Sequence, residues 1–397
     1  MDDNMSGLIS CEVCGATSTA ELFKWKNVPA NIGILWPSRE DALNCKKGDL
    51  NIRLCETCGY IWNVSFQPER LEYSQAYDNN LHHSATYAEY ARNTARHLID
   101  RYGFKGKKIV EIGCGKGDFL ILLCTLADNQ GVGFDTSFEA RKLAPDVADR
   151  ISIIQDFYSE KYADYAGDLI ASRYVLEHIE HPIQFLQSIR RSIGDRKDTV
   201  VYCEIPDVYL ILEQLSIWDF IYEHVSYFSP GSLATIFEAC GFKILDLYET
   251  FGNQFIGIEA APVSGSSDAS YDIRADLQRM KSSLKTFLPQ IDAKRKFFED
   301  LLRRIRSEKL RVLVWGAGAK GVSYLNMLDI RDDIPYIVDI NPNKHGKFVA
   351  GTGQEIVPSE FAKTYNPDLV IVMNPIYTRE IEQALTAMNV ETELLNV

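Results

Sequence analysis

The strongest constraint on the fold is an apolar strand that leads directly into a glycine-rich turn. Positions 108–113 are predicted to form the strand, glycines stand at 113, 115 and 117, and an apolar helix is expected over 118–127. Strand and helix patterns then alternate, and the next strands are predicted at 131–135, 151–156, 168–173 and 199–205. This alternation predicts an α/β fold with a doubly wound, Rossmann-like parallel sheet, whose ligands bind at the carboxyl ends of the strands.

Acidic residues stand at regular places around this turn. Glu111 lies on the first strand, Asp135 ends the second, and Asp156 ends the third, followed by Phe157. The turn lacks the two-residue gap between its second and third glycines that a dinucleotide fingerprint requires. Together these residues resemble the class I S-adenosylmethionine-dependent methyltransferases. Taken singly, each carboxylate is also compatible with an exposed charge at a strand end.

The resemblance implies a contact for each part of this cofactor. Two glycines would let the backbone approach its methionine part. Asp135 would accept hydrogen bonds from the ribose hydroxyls, and Asp156 would accept one from the adenine amino group, with Phe157 against the ring. The expected cofactor site is Glu111, Gly113, Gly115, Asp135, Asp156 and Phe157.

Two cysteine pairs, Cys11-x-x-Cys14 and Cys55-x-x-Cys58, precede this region, and a glycine follows each pair. Four thiolates at this spacing make a closed tetrahedral zinc site, which is structural because it has no open position. A redox role would need one pair inside a βαβ pattern, and neither pair has that setting. The alternative is that the four cysteines are buried without a metal.

The bulk properties exclude several classes of protein. A formal net charge of −13 argues against a nucleic-acid binder, which needs a basic face. The longest apolar run, 119–127, is about half of a membrane span, and no signal peptide is visible. Nine cysteines without a secretion signal indicate a cytoplasmic protein with reduced thiols or metal ligands. We expect a small-molecule substrate and a monomer or homodimer.

A candidate catalytic segment, Tyr222-Glu223-His224, lies between the fifth strand and a helix that starts near position 232. The segment is rich in aromatic residues, and a histidine there is a suitable base at neutral pH, oriented by a neighbouring carboxylate or phenol. The pair Glu177-His178 follows the fourth strand and is expected to open onto the same cleft. Residues 73–83 could cover that cleft. For any single histidine, a hydrogen-bonded core residue is the alternative.

The last third of the chain begins with a predicted flexible linker at 264–270. A charged helix follows, whose buried stripe is expected at Phe297, Leu301 and Ile305. A strand at 310–315 then leads into Gly-Ala-Gly-Ala-Lys-Gly, and Asp339 ends the next strand, which formally completes a dinucleotide fingerprint. Only about four strands fit before the end of the chain, half of a dinucleotide fold. The loop is therefore interpreted as a seat for substrate phosphates, with NAD binding or a purely structural turn as alternatives.

With these parts placed, the chain resembles the sugar C-methyltransferases that act on nucleotide-linked 4-keto-deoxysugars. The resemblance implies that zinc orders the N-terminal domain and that the sugar nucleotide lies between the methyltransferase and C-terminal domains. It also implies that His224 is the base, helped by Tyr222 and Glu223, and that Tyr77 borders the sugar. The substrate contacts expected in the C-terminal domain are Gly316, Lys320, Asn326, Asn341 and Asn374.

These expectations divide the chain into a zinc domain (1–70), a methyltransferase domain (71–262), a linker and helix (263–308) and a C-terminal half-Rossmann domain (309–397). The predicted reaction is transfer of a methyl group to a carbon beside a ketone, through an enolate whose oxygen contacts a donor such as His178 or Tyr222. The alternatives are an O- or N-methyltransferase, an enzyme with an NAD-binding module, and a non-catalytic scaffold.

Overall fold

The computed structural model describes residues 9–71, 78, 80–138, 145–165, 167–263 and 271–397, so the predicted linker at 264–270 lies outside the described residues. The strands form three sheets. In chain order the strands are β1 Thr19–Pro29, β2 Lys47–Cys55, β3 Ile61–Asn63, β4 Lys108–Ile112, β5 Gln130–Phe134, β6 Ile151–Ile154, β7 Leu169–Arg173, β8 Val200–Pro206, β9 Ser226–Tyr227, β10 Phe242–Thr250, β11 Phe255–Pro262, β12 Val312–Trp315, β13 Tyr336–Val338, β14 Glu355–Val357, β15 Leu369–Val372 and β16 Glu393–Asn396.

The helices pack on these sheets or connect them. They are α1 Arg39–Leu43, α2 Ala85–Tyr102, α3 Asp118–Thr125, α4 Pro145–Ala148, α5 Pro182–Ile193, α6 Val208–Gln214, α7 Pro230–Ala239, α8 Ile273–Glu308, α9 Ala319–Met327, α10 Phe361–Tyr365 and α11 Thr378–Ala387. Each helix in the described part of the chain is too short or too polar to cross a lipid bilayer.

The long helix α8 buries a different stripe from the one predicted. Phe298, Leu302 and Ile305 are buried, whereas Phe297 is 53% exposed. A strict four-residue spacing drifts about 40° around a helix at each step, because each residue turns it by about 100°. Alternating spacings of four and three keep the apolar side chains on one face. The prediction is therefore wrong for Phe297, whereas Leu301 is partly buried against the core and Ile305 is buried as predicted.

The central sheet has seven strands in the order β10-β11-β8-β7-β4-β5-β6. The strands from β4 to β8 pair in parallel, which confirms the predicted doubly wound sheet, and β11 pairs antiparallel with β8 and β10. The strand order reverses between β4 and β7, since β5 and β6 lie on one side of β4 and β7 and β8 lie on the other. Such a switch point opens a crevice beyond the carboxyl ends of the strands.

The N-terminal sheet has the order β1-β2-β3-β9 and is completed by a strand from the middle of the chain. Strand β9 begins two residues after His224 and pairs antiparallel with β3, with Ile61 opposite Tyr227 and Trp62 opposite Ser226. The amide of Asn63 also donates to the Val225 carbonyl at 2.9 Å. The N-terminal domain therefore holds the candidate catalytic segment in place.

The C-terminal sheet has five parallel strands in the order β14-β13-β12-β15-β16, one strand more than predicted. Its strand order reverses between β12 and β15, and β12 leads into the glycine loop, so this sheet also has a crevice at its switch point. One hydrophobic core joins the N-terminal sheet, α6, α8 and one face of this C-terminal sheet. These parts therefore pack around one core.

Candidate functional site

A cleft of about 670 Å³ lies between the carboxyl edges of the central and C-terminal sheets. Its walls come from the glycine turn after β4, the ends of β7 and β8, the segment around His224, and the glycine loop after β12. The two crevices created by the sheet topology thus form a single cavity. A cavity of this size can accommodate two ligands of metabolite size.

The glycine turn after β4 has a backbone that other residues would strain. Gly113 and Gly115 have φ values of 70° and 53°, in the left-handed region that favours glycine. A Cβ on Gly113 would also lie 2.2 Å from Cγ2 of Val175. Asp135 lines the cleft beside this turn, and its Oδ2 accepts a hydrogen bond from the Gly115 amide at 2.7 Å. The predicted methionine and ribose contacts therefore meet at one end of the cleft.

Glu111 adds a buried carboxyl to the same end of the cleft. Its side chain lines the cavity, is 3% exposed, and has an Oε2 atom without a hydrogen-bond partner in the described part of the chain. Burial raises the pKa of Glu111 to about 8, although the nearby Arg173 guanidinium acts in the opposite direction. Because buried polar atoms are rarely left without partners, this atom is well placed to meet a polar group of a ligand.

The residues predicted for the adenine end lie elsewhere. The Asp156 carboxylate accepts hydrogen bonds from Lys161 at 2.6 Å and from the Tyr162 hydroxyl at 2.5 Å. Phe157 is 70% exposed, and neither residue lines the cleft. Strand β6 ends two residues before Asp156, and the backbone then turns, which directs both side chains away. The structure does not bring these two predicted contacts into the site.

The candidate catalytic segment presents Glu223 and His224 to the cleft. A carboxylate oxygen of Glu223 accepts a hydrogen bond from the Ile32 amide at 2.7 Å. The Glu223 carbonyl accepts one from Nδ1 of His178 at 2.9 Å, and the His178 and His224 rings are 4.9 Å apart, edge to face. The turn after β7 and the catalytic segment thus place His178 and His224 on one wall of the cleft, as predicted.

Both histidines are neutral at physiological pH. Burial lowers the pKa of His178 to about 4. Burial also lowers the pKa of His224 well below its usual value, with a smaller effect from His178 and the Lys320 ammonium. A neutral imidazole keeps a lone pair that can accept a proton, so His224 is chemically able to act as a base.

Tyr222 points away from the cleft, in contrast to its predicted role. Its hydroxyl accepts a hydrogen bond from the Gln67 amide at 2.8 Å, and its ring packs so closely on Gly48 that a Cβ there would lie 2.1 Å away. Residues 222 and 223 lie in a turn closed by a hydrogen bond of 3.2 Å from the His224 amide to the Ile221 carbonyl. In this turn Tyr222 faces the N-terminal domain, while Ile221, Glu223 and His224 line the cleft. Tyr222 therefore anchors the segment. Tyr77 lies outside the described residues.

The glycine loop after β12 forms the opposite wall, where Gly316 and Lys320 line the cleft as predicted. The Lys320 ammonium forms an ion pair with Asp219 of the segment that precedes His224. Asp339, the residue expected to recognise ribose if the loop bound NAD, accepts hydrogen bonds from the Ala317 amide at 3.0 Å and the Lys344 ammonium at 3.1 Å. The Asp339 carboxylate thus already accepts hydrogen bonds from groups in and beside the glycine loop.

The three predicted asparagines have different roles. Asn374 lines the cleft and exchanges side-chain hydrogen bonds of 2.9 and 3.0 Å with Gln254 of the central sheet. Asn326 instead donates to the Val322 and Ala350 carbonyls, and Asn341 donates to Asp78 at 3.0 Å. Asn326 and Asn341 do not line the cleft, so they support its walls, and their prediction as substrate contacts is not supported by their positions.

The four cysteines of the two pairs cluster at one end of the N-terminal sheet. The Sγ atoms of Cys11 and Cys58 are 3.6 Å apart, and so are those of Cys14 and Cys55. Thiolates about 2.3 Å from a tetrahedral zinc ion would lie about 3.8 Å from one another. The donor set and its spacing therefore fit zinc.

Several cleft residues were missed by sequence reasoning. Asp78 accepts hydrogen bonds from Lys116 of the first glycine turn and from Asn343 of the C-terminal domain, at 2.6 and 2.8 Å. Arg173 forms a buried ion pair with Glu204 at 2.8 Å. Arg173 ends a parallel strand, a signal that could have identified it. Asp78 lies within residues 73–83, which were expected to cover the cleft, but its contacts there were not predicted. Other unpredicted residues that line the cleft are Tyr87, Tyr174, Asp207, Asp219 and Gln254, and Glu177 lines it beside His178, as expected for that pair.

Comparisons with known proteins agree with this architecture. Residues 87–247 match the family described as a methyltransferase domain, and residues 271–393 match the family described as a C-methyltransferase C-terminal domain. C-methyltransferase NovU of Streptomyces niveus is 24% identical over 403 residues, which cover 96% of this chain and 93% of that protein.

Solved structures also align with part of the chain. Magnesium protoporphyrin IX methyltransferase of Synechocystis is 17% identical, with a TM-score of 0.35 over 45% of this chain and 84% of its own. A methyltransferase from Haloferax volcanii in complex with its activator is 14% identical, with a TM-score of 0.36 over 46% of this chain and 93% of its own.

Proposed function

We propose that this S-adenosylmethionine-dependent C-methyltransferase transfers its methyl group to a ring carbon beside a ketone of a nucleotide-linked deoxysugar. The observation that carries the proposal is the shared cleft, in which the glycine turn after β4, His224 and the glycine loop after β12 line one cavity. The match of residues 271–393 to a C-methyltransferase C-terminal domain supports carbon as the acceptor. Methyl transfer to oxygen or nitrogen is the alternative, and the experiment below shows which atom receives the methyl group.

The chain's residues suggest how the two ligands are held. The methyl donor would occupy the end of the cleft formed by Glu111, the glycine turn and Asp135. The substrate phosphates would lie at the N-terminus of α9, where no side chain caps the first amides and Gly318 and Lys320 line the cleft. Helix N-termini with free amides favour phosphate. The sugar would then lie between the two ends, beside His224.

The proposed chemistry begins with His224 as the base. A ketone acidifies the adjacent C–H bond, and the neutral imidazole removes that proton, so that an enolate forms. S-Adenosylmethionine, when bound, supplies a sulfonium methyl group as the electrophile. The cleft walls hold the two carbons in contact, and such positioning can contribute about 7–11 kcal/mol to lowering the barrier. The Glu223 backbone keeps His178 packed edge to face against the His224 ring.

The four-cysteine cluster would hold a structural zinc ion. Four thiolates leave no open coordination position for a substrate, so the ion would not take part in the reaction. The pairing of β3 with β9 links this end of the molecule to the catalytic segment. We therefore expect zinc to affect the rate of methyl transfer only by helping to hold His224 in position.

The proposal is tested by incubating the protein with methyl-¹³C-labelled S-adenosylmethionine and a panel of nucleotide-linked 4-keto-6-deoxysugars, followed by NMR. The expected result is a labelled methyl on a ring carbon adjacent to the ketone, with loss of the proton from that carbon. Label on oxygen or nitrogen would contradict carbon methylation. Absence of transfer to every member of the panel, in protein that binds S-adenosylhomocysteine, would contradict the substrate class.

A further inference from the structure

The proposed reaction needs a hydrogen-bond donor for the enolate oxygen, and the two donors predicted from the sequence are not available. Tyr222 points to the N-terminal domain. His178 uses its Nδ1–H to donate to the Glu223 carbonyl, and because a neutral imidazole has only one N–H, its Nε2 can only accept. A hydrogen-bond donor therefore has to come from another residue on this wall.

Glu177 occupies the required position. It lies in the 3₁₀ turn Leu176–His178 directly after β7, lines the cleft, and is 2% exposed. Its Oε2 atom has no hydrogen-bond partner within the described residues. One carboxyl oxygen of Glu177 and one ring nitrogen each of His178 and His224 lie within 4.8 Å of one another. The carbonyl oxygen of a ketone substrate and the hydrogen on the neighbouring carbon can therefore contact Glu177 and His224, respectively, at the same time.

We propose that Glu177, as a neutral carboxylic acid, donates a hydrogen bond to the substrate oxygen while His224 removes the proton from the neighbouring carbon. This inference rests on the proposed function, because it assigns a role in that reaction. A carboxylic acid kept neutral by its surroundings is an effective oxyanion donor in other enzymes. It assigns a catalytic role to a residue that the sequence placed at the cleft beside His178 without a role of its own.

The surroundings of Glu177 favour its neutral form. Burial raises its pKa to about 8, and the negative charge of Glu204 on β8 adds to the effect. The other titratable groups near it are the neutral His178 and His224 and the Cys203 thiol on β8, whose pKa is also raised by burial. Arg173 is paired with Glu204 rather than with Glu177.

The electron movements balance in this arrangement. His224 takes the proton, the C–H bonding pair becomes part of a carbon–carbon double bond, and the carbonyl π pair moves to oxygen, where the Glu177 O–H stabilises the charge and keeps its proton. When the carbon bonds to the methyl group, the carbonyl re-forms and the sulfur–methyl pair stays on sulfur. The proton on His224 then passes to solvent.

The test compares Glu177→Ala, which removes the donor, with Glu177→Gln, whose amide donates at every pH. Two rates are measured: methyl transfer, and exchange of the substrate C–H with D₂O in the presence of S-adenosylhomocysteine. We expect Glu177→Ala to lower both by about 10²–10³-fold, the cost of one oxyanion donor. Glu177→Gln should retain most of both rates and lose the decline in kcat that wild type shows above about pH 8, where Glu177 ionises.

The matched control is Glu180→Gln, an exposed carboxylate three residues further along the chain, which should behave as wild type. S-Adenosylhomocysteine binding, measured by thermal shift, shows whether each variant is folded. The proposal is overturned if Glu177→Ala exchanges and methylates at wild-type rates, or if Glu177→Gln keeps the alkaline decline. A second bound metal ion, present in wild type and lost in Glu177→Ala, would also overturn it. If the wild-type protein neither exchanges nor methylates any 4-keto substrate, the result contradicts the proposed function itself, and the role of Glu177 is then contradicted as well.

Discussion

At the scale of single residues, burial decides what the groups of the cleft can do. His178 and His224 are partly buried, and their loss of solvation lowers the pKa of each imidazole and keeps both neutral. Glu111 and Glu177 are buried as well, which raises the pKa of each carboxyl to about 8. At neutral pH the two imidazoles therefore offer lone pairs, and the carboxyl groups of Glu111 and Glu177 offer O–H donors. An exposed glutamate would instead be ionised at this pH and could only accept hydrogen bonds.

Replacing His224 by Asn should remove the base and leave the cofactor end of the cleft intact. We expect turnover to fall by at least about 10²-fold, since general-base catalysis contributes roughly 10²–10⁴-fold, while the dissociation constant for S-adenosylhomocysteine stays within about twofold of wild type. Kinetics of methyl transfer and calorimetric titration check the two parts.

The control is His181→Asn, because the His181 side chain is 53% exposed and does not line the cleft. Turnover at the wild-type rate in the His224→Asn variant would contradict the assignment of His224 as the base. Loss of cofactor binding in that variant would instead show that His224 supports the fold of the cleft.

At the scale of elements, a two-residue strand connects the cysteine cluster to the catalytic segment. Strand β9 pairs with β3, which begins three residues after Cys58. Cys55 and Cys58 share a hydrophobic core with Phe228, which follows β9. Because β9 is so short, its position depends on the sheet beside it and on the segment's anchor, Tyr222.

Replacing Cys58 by Ser should therefore affect both metal content and catalysis. We expect the variant to lose about one zinc ion per chain, to melt at a lower temperature, and to have a lower kcat, because structural zinc contributes directly to folding free energy. Metal analysis by mass spectrometry and a thermal melting curve measure these changes.

Cys45→Ser is the control, since Cys45 is a buried cysteine of the same N-terminal region that is not part of the cluster. It should keep its zinc. A Cys58→Ser protein with full metal content, or a wild type that contains no zinc, would contradict the assignment.

At the scale of the whole molecule, contacts between the parts of the chain build the cleft. Asp78 is buried where the parts meet: its amide donates to the Gly33 carbonyl, and its carboxylate accepts from Lys116, Asn341 and Asn343. Burial opposes ionisation of Asp78, but its hydrogen bonds from Lys116 and Asn343 hold its pKa below the usual value. One carboxylate thus connects the methyltransferase glycine turn to the C-terminal domain.

Replacing Asp78 by Ala should weaken both ligand sites together. Loss of charge-assisted hydrogen bonds of about 1.5–3 kcal/mol each would let the glycine turn and the C-terminal domain move independently. We expect the dissociation constants for S-adenosylhomocysteine and for the nucleotide sugar each to rise about 10-fold, as measured by calorimetry. Asp128→Ala, which removes an exposed pair with Arg150, should change neither. An effect confined to one ligand would contradict the linkage.

The amino-acid sequence by itself determined the backbone pattern of this protein. Apolar strands, the glycines at 113, 115 and 117, and the cysteine spacing predicted the central sheet, the turn at its switch point and the four-cysteine cluster, because these features depend on local periodicity and local backbone conformation. The order of the motifs predicted the three-part organisation, the aromatic-rich setting of a histidine marked the catalytic segment, and the resemblance to a known family implied the role of His224 as the base. His224, Gly316 and Lys320 were thus predicted at the cleft where the structure places them.

Only the tertiary structure decided which side chains meet in the cleft. Tyr222 was predicted to act there, but it lies in a turn and its hydroxyl accepts a hydrogen bond from the Gln67 amide, so it faces the N-terminal domain. Asp156 and Asn326 have local partners that occupy their polar atoms. Glu177 gained significance only because burial leaves its carboxyl neutral and without a partner among the described residues. Side-chain direction, burial and pKa depend on neighbours that are distant along the chain, and a local pattern carries no information about them.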